Sequence, residues 1–437
     1  MVELPPITRI YRACDPVESV GPTDPRWVNL DAARGDYGVV QRIARELRRA
    51  DPDKADIGLL SGHIGVGKTS ALTQLVETLR ADQPQPFLVV FANVGDSLDT
   101  NDLDFPDLLV FIAAEVQKEI RKRSWPGLHA STTLLKNVWD GIVALLGTEV
   151  ALKSADAELG FVTLGLELRN QPTARVALRR AIEANQSSLL NAINDLLKTA
   201  RVFARKNSHA GLVLIIDGLD RLSRVPLPSD PSTNPQERLF VDRIDQLAQI
   251  DALAVYAVPI SLIYSPRFGQ TQQVIGQHFP LLSMVALHEF DNPISAETVG
   301  MRAMREVIAK RCKVAGIEPH ELFDERTELY LCELSGGHPR HLISLIRAAC
   351  SASDALPLTL ENIKQAVRNY GNSLLRMIPD EAWPVLRGFN EPQRDLPKNS
   401  LHLDALFGAW IFEYMNGEPW YEVNPVLRTL ERFKPAT

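Results

Sequence analysis

The chain has 437 residues, 45% of them hydrophobic and 23% charged, and a formal net charge of -7: a folded globular composition, long enough for two or three domains. That charge excludes a global attraction to nucleic acid, so any DNA contact has to come from a local patch. The N-terminus carries Glu3 and two prolines where a signal peptide needs a basic start, and no apolar run approaches the ~18 residues that span a bilayer, so a soluble cytoplasmic protein without membrane contact is expected.

Residues 1–26, with Pro5, Pro6, Pro16, Pro22 and Pro25, are expected as an extended N-terminal arm or cover strand. Tyr37 to Ala50 places Val39, Val40, Ile43, Ala44 and Leu47 on one helical face. Asp56 to Leu60 is a short apolar strand running into a glycine-rich loop, and Ser70 to Ala81 restores helical period. A second strand, Phe87 to Ala92, leads through an acidic stretch to a helix that closes on the basic run Lys118 to Arg123. Residues 125–172 mix glycines with β-branched residues and are expected as an insertion, either a hairpin or a subdomain.

Ala174 to Lys206 is a long amphipathic helix, and Gly211 to Asp217 an almost wholly apolar strand of the kind found at the centre of a parallel sheet. Arg238 to Ile250 is expected as a helix, Ala252 to Tyr264 as a strand with Pro259 marking an edge or bulge, and Leu281 to Leu287 as a last strand. Strands alternating with helices imply an α/β core at residues 27–295, a parallel sheet with helices on both faces. Four helical patterns follow in a domain at 296–378. Residues 379–437 end in two short strands joined at Asn416-Gly417, a strong hairpin signal, which with the preceding helices suggests a winged-helix module. The four scattered cysteines, Cys14, Cys312, Cys332 and Cys350, are expected as buried thiols of a reducing compartment.

Gly62 to Thr69, GHIGVGKT, matches G-x-x-x-x-G-K-[ST] in full and sits between a strand and a helix, the context a phosphate loop requires. Its glycines let the backbone N–H groups of Gly62, His63, Ile64, Gly65, Val66, Gly67, Lys68, Thr69 and Ser70 curl around phosphates. The helix start adds its dipole. Lys68 would reach the β- and γ-phosphates of ATP or GTP, and the Thr69 hydroxyl would bind Mg2+. Asp217, at the end of LVLIID, supplies the acid expected to hold the metal through water. Asp220 is a candidate general base or water positioner; the competing reading makes it a helix N-cap or a partner of Arg221 or Arg224.

The strand ending in Asp217-Gly218-Leu219-Asp220-Arg221 resembles the signature of STAND-class NTPases, the signal-transduction relatives of AAA+ proteins that include NACHT ATPases; KAP-type ATPases share a similar form. Fast AAA+ ATPases carry a glutamate where this chain has Gly218, which implies slow turnover. Gly337-His338-Pro339 resembles the Gly-x-Pro element of STAND helical lids. By that resemblance Pro339 packs near the adenine and Arg340 senses the γ-phosphate; the alternative makes the segment a plain helix–turn–helix link. The terminal hairpin resembles the winged helix that follows such lids. Trp27, Val28 and Arg34 lie where related proteins place the loop under the base, and ATP rather than GTP also rests on the resemblance. Unlike typical STAND proteins, the chain shows no effector domain or sensor repeat array.

The resemblance implies an ATP-dependent switch working with a protein partner or separately encoded effector, in some cases as a homo-oligomer, with bacterial defence as a setting. The alternative is a DNA-engaged AAA+ ATPase of the initiator or transposition-regulator type. The hairpin argues against it, carrying Glu413, Glu418 and Glu422 and no Lys or Arg where a DNA-gripping wing is normally basic. Arg267, Arg238 and Arg243 are candidates for an arginine finger across subunits or for ordinary surface ion pairs. Ser261 is a candidate polar sensor, and Lys118 to Arg123 either touches phosphate or closes a helix.

Overall fold

The computed structural model describes residues 4–35, 38–123, 172–227, 230–276 and 280–434, leaving aside the side chains of 172–178 and 180–186. The expected insertion at 125–172 falls, but for its last residue, outside them. In chain order the main elements are α1 (Pro6–Ala13), α2 (Val39–Arg49), β1 (Asp56–Leu60), α3 (Lys68–Arg80), β2 (Leu88–Asn93), α4 (Phe105–Arg121), α5 (Pro172–Lys206), β3 (Leu212–Asp217), β4 (Leu253–Ala257), α6 (Phe268–Ile275), α7 (Val299–Ala315), α8 (Glu325–Ser335), α9 (Pro339–Ser351), α10 (Leu360–Met377), α11 (Ala382–Gly388), α12 (Ser400–Phe407), β5 (Ile411–Asn416) and β6 (Glu418–Val423). They divide between two compact units interleaved along the chain: Ile43–Ser61 with Leu75–Pro280, and Met1–Arg42 with Gly62–Gln74 and Leu281–Thr437.

The first of these holds a four-stranded parallel sheet in the order β1-β4-β3-β2. Every residue of β3 and β4 is buried, which is why LVLIID shows no polar alternation. One sheet face, with Leu59, Val90, Leu214, Ile216 and Tyr256, packs on Leu108 and Ile112 of α4 and on Ile193 and Leu196 of α5. Residues of opposite parity, Val89, Val213, Ile215 and Val255, are buried on the other face. α4 starts at a capping box: Asp104 accepts the Phe105 N–H (2.7 Å), and Asp107 accepts the Asp104 N–H (3.0 Å).

Two expectations for this unit are corrected. The strand expected over Ala252 to Tyr264 ends at Ala257. Pro259 marks neither an edge nor a bulge: it caps the short helical turn Ile260–Ile263, and β4 lies between β1 and β3. The helix expected over Arg238 to Ile250 is broken into a π-type turn, Arg238–Asp242, and the turn Ile244–Leu247.

In the other unit, α1 stands where prolines suggested an extended arm. Pro5 is its N-cap and Pro6 its first residue, the helical position at which a fixed φ and a missing N–H cost nothing. Its buried Ile10 belongs to a helix packed on α7 and α9. The helices α7, α8 and α10 open on side-chain caps from Thr298, Asp324 and Thr359. After α11 and α12, β5 and β6 pair antiparallel with Asn416 opposite Glu418 around Gly417. Leu281 to Leu287, expected as a strand, joins no ladder of three or more residues. Its donors go to three places: Met284 N–H to the Glu413 carbonyl (3.1 Å), Val285 N–H to that of Gly337 (3.2 Å) and Ala286 N–H to that of Ala33 (2.8 Å). The four cysteines are buried free thiols. Among the described residues no helix is long and apolar enough to cross a membrane.

Candidate nucleotide site

The glycine loop lies in the same compact unit as α8, α9 and the hairpin. α3 starts from it at Lys68, and the first N–H groups of a helix have no partner within it and carry the positive end of its dipole. Lys68 is buried, its Nζ donating to the carbonyls of Gly62 (2.7 Å) and His63 (2.9 Å). An anionic oxygen is a stronger partner for an ammonium than either neutral carbonyl. Glycine loop, helix N-terminus and ammonium together fit a phosphate group. The Thr69 hydroxyl, on a half-buried residue one position into α3, is the hard oxygen ligand Mg2+ takes.

Gly65 shows how tightly the loop is covered. Its φ is +86°, and a Cβ there would stand 2.7 Å from the His338 ring and 3.0 Å from Arg340 Cβ. The loop crest therefore runs against the start of α9. His338 is the N-cap of that helix, Pro339 its first residue, and Arg340 its second. His338 Nε2 donates to the Ile64 carbonyl (3.0 Å), while its Nδ1 accepts the His341 N–H (3.3 Å). The two imidazoles stack 3.8 Å apart, and His341 Nε2 meets the Tyr370 hydroxyl of α10 at 2.8 Å. On the hairpin side, His63 Nε2 accepts the Glu413 N–H of β5 (3.2 Å). Burial pushes His63 and His341 down to about 3 and holds His338 well below its usual value, so all three rings are neutral at pH 7.

Arg34, a candidate with Trp27 and Val28 for the loop under the base, braces the glycine loop with its buried guanidinium: Nη2 donates to the Val66 carbonyl (2.7 Å) and Nη1 to that of Ser283, whose hydroxyl donates back to the Arg34 carbonyl (2.9 Å). Burial lowers the guanidinium to about 10 against the opposing pull of Asp31, which leaves it charged at neutral pH. Neither this brace nor the histidine cluster was anticipated. The only signals in the sequence were the two histidines at His338 and His341, one helical turn apart, and one inside the loop motif.

In the sheet unit, Asp217 is buried at the end of β3, opposite Asn93 in the β2 register. Asn93 closes an apolar strand as Asp217 does, and that shared pattern could have flagged it. Gly218 has φ +86°, and a Cβ would come within 2.5 Å of Asn93 Oδ1. The position where fast ATPases carry glutamate is thus closed to a side chain by conformation and by space. Asp220 lies inside the 3-10 turn Leu219–Arg221, whose N-cap is Gly218, so its N-cap reading is corrected. Ser261 donates to Gln236 Oε1 (2.6 Å). The three finger candidates form ion pairs: Arg238 with Asp104 (2.7 Å), Arg243 with Asp104 (3.9 Å), Arg267 with Asp242 and with Glu237 (3.6 Å). In the basic run, Lys118 pairs with Glu115 (2.5 Å), Lys122 and Arg123 with Glu119 (3.6 and 3.0 Å).

The strand order, the glycine loop between β1 and α3, the helices that follow and the terminal hairpin define the class: a P-loop NTPase fold of the AAA+-like, ASCE kind with an all-helical lid and a winged-helix domain. No protein-family model matches the chain, and no curated protein does. Among solved structures it is similar to a Walker-type ATPase of Pyrococcus abyssi (14% identity, 93% of this chain and 99% of that one, TM-score 0.41). It is also similar to Cdc6p of Pyrobaculum aerophilum (12%, 97% and 96%, 0.43) and to the Orc1 protein of Aeropyrum pernix in complex with DNA (13%, 96% and 95%, 0.36). At such identities and scores the likeness carries no functional argument, and the class rests on the architecture itself.

Proposed function

We propose that this chain is an ATP-binding, slowly hydrolysing ATPase that acts as a nucleotide-dependent switch in a multiprotein assembly. Lys68 and the loop N–H groups from Gly62 to Ser70 hold the phosphates, Thr69 and Asp217 hold Mg2+, and Arg340 answers to the γ-phosphate. Asp220 orients the attacking water. The observation that carries the switch reading is the pair of hydrogen bonds from the loop to its own unit, Ile64 to His338 and His63 to Glu413. Anything that reshapes the loop has to act on lid helix and hairpin. The setting that the STAND resemblance implies is a defence or signalling system with a separately encoded effector.

Binding of Mg-ATP measured by calorimetry tests the reading. The unaltered chain is expected to bind, and Lys68→Ala to bind at least tenfold more weakly with no measurable turnover. A rate of tens per second in the isolated chain would overturn the slow-switch assignment.

A DNA-engaged ATPase is the second reading, and burial bears on it. Of the three acids that counted against a DNA-gripping wing, Glu413 and Glu422 are buried, Glu422 between Arg428 (2.6 Å) and His288 (3.2 Å). Only Glu418 is left exposed, so the wing's acidity is largely internal. A salt-dependent mobility shift with duplex DNA would move this reading ahead.

A further inference from the structure

His63 carries an unsatisfied group that the proposed chemistry does not use. Its Nε2 accepts the Glu413 N–H, so the proton of the neutral ring is on Nδ1, and Nδ1 is buried with no hydrogen-bond partner among the described residues. Buried donors are rarely left without partners, and this one persists on a residue only 1% exposed. At its other end the same residue accepts Lys68 Nζ on its carbonyl. One residue thus joins the ammonium that a phosphate competes for to the outer edge of the wing hairpin. On that edge Glu413 points both backbone groups away from β6: its N–H meets His63, and its carbonyl accepts Met284 N–H. Phe412 packs edge-on to the His63 ring at 6.2 Å and tilted to His338 at 5.7 Å.

We infer that His63 is the positioning residue that reports loop occupancy to the winged-helix hairpin. When a triphosphate draws Lys68 Nζ off the carbonyls of Gly62 and His63, the His63 peptide is free to turn. The ring then gives up the Glu413 N–H while Nδ1–H gains a partner. The cost of leaving that donor unsatisfied brings the two arrangements closer in free energy, so that phosphate binding can tip the exchange. The inference rests on the nucleotide reading of the loop.

Hydrogen exchange on the full chain, with and without Mg-ATPγS, tests it. The Glu413 amide is expected to exchange at least tenfold faster with nucleotide, while amides paired within the β5–β6 ladder hold. In His63→Leu the Glu413 amide is expected to exchange fast from the start. Because that change lies in the phosphate loop and can disturb it, a second variant works from the other side. Glu413→Pro removes the donated N–H and, pointing away from β6, takes no ladder bond. By reciprocity it is expected to bind Mg-ATPγS about two- to tenfold tighter, since nucleotide no longer has to break a hydrogen bond of ordinary strength. Binding with an unchanged Glu413 amide, or unchanged affinity in a folded Glu413→Pro, overturns this inference and leaves the ATPase reading intact. No binding to the unaltered chain overturns both.

Discussion

Arg34 and Gly218 show how single residues set the chemistry of the loop and of the strand end. Arg34 holds two backbone carbonyls with one planar fork, a geometry that a lysine ammonium on a flexible stem does not reproduce. Arg34→Ala leaves both carbonyls buried without that donor, and a destabilisation of about 2–4 kcal/mol is expected, together with weaker nucleotide binding. Arg34→Lys should recover less than half of either. Urea midpoints and binding isotherms on the two variants check this; full recovery by lysine would reduce Arg34 to a point charge. Gly218→Glu bears on turnover. Restoring the glutamate of fast ATPases should slow or abolish activity and cost about 1–3 kcal/mol, because the residue is left-handed and its Cβ meets Asn93. A faster enzyme with an unchanged melting temperature would mean that the turn can open to admit a working base.

At the scale of elements, the buried Glu422 of β6 is the clearest point of stress. It lies between Arg428 and His288, and its carboxyl is held below the usual range: burial opposes ionisation, but the hydrogen bonds and charges of His288 and Arg428 outweigh it. Arg428→Met leaves that carboxylate with His288 alone and is expected to destabilise by about 3–5 kcal/mol, whereas the double change Glu422→Leu with Arg428→Met should recover most of the loss. Thermal unfolding of the two variants decides whether the pair acts as a unit.

Legibility in the sequence followed the same physics. β1, β3, α4 and the hairpin were readable because strand burial, helical period and the Asn-Gly turn are local signals. Leu281 to Leu287 was misread because an apolar extended run looks alike whether its N–H groups serve one neighbour or three. α1 was misread because Pro5-Pro6 opens a helix as readily as it bars one. The loop motif showed every residue proposed to hold phosphate, yet none of the residues that hold the loop. Arg34, His338 and Glu413 reach it across separations of up to 350 residues, with Ser283 holding Arg34 in turn, and no periodicity encodes that.

For the molecule as a whole, these histidines predict an asymmetric dependence of stability on pH. His63 and His341 are buried neutral with values depressed from 6.5 to about 3, by burial first and then by the nearby cations Lys68 and Arg340; His338 is lowered for the same leading reason. For a depressed value the unfolded state takes up protons first. The contribution is fully present above pH 6.5 and is lost as pH falls from there toward about 3, at up to about 1.4 kcal/mol per unit for each ring. His288 runs the other way. Burial lowers it, but the hydrogen bond it donates to Glu422 and neighbouring backbone contacts raise it overall, so its contribution is present below 6.5 and fades as pH rises through the folded value. His402 is also lowered by burial, and four rings against one make the acid limb the steeper. Unfolding followed by near-ultraviolet circular dichroism is expected to show a melting temperature that falls sharply between pH 6.5 and 4 and only slightly between pH 7 and 8.5. His341→Phe, which keeps a stacked ring and removes one titrating group, should flatten the acid limb. An acid limb unaltered in that variant would show that carboxylates, not the ring cluster behind the phosphate loop, set the stability of this protein toward acid.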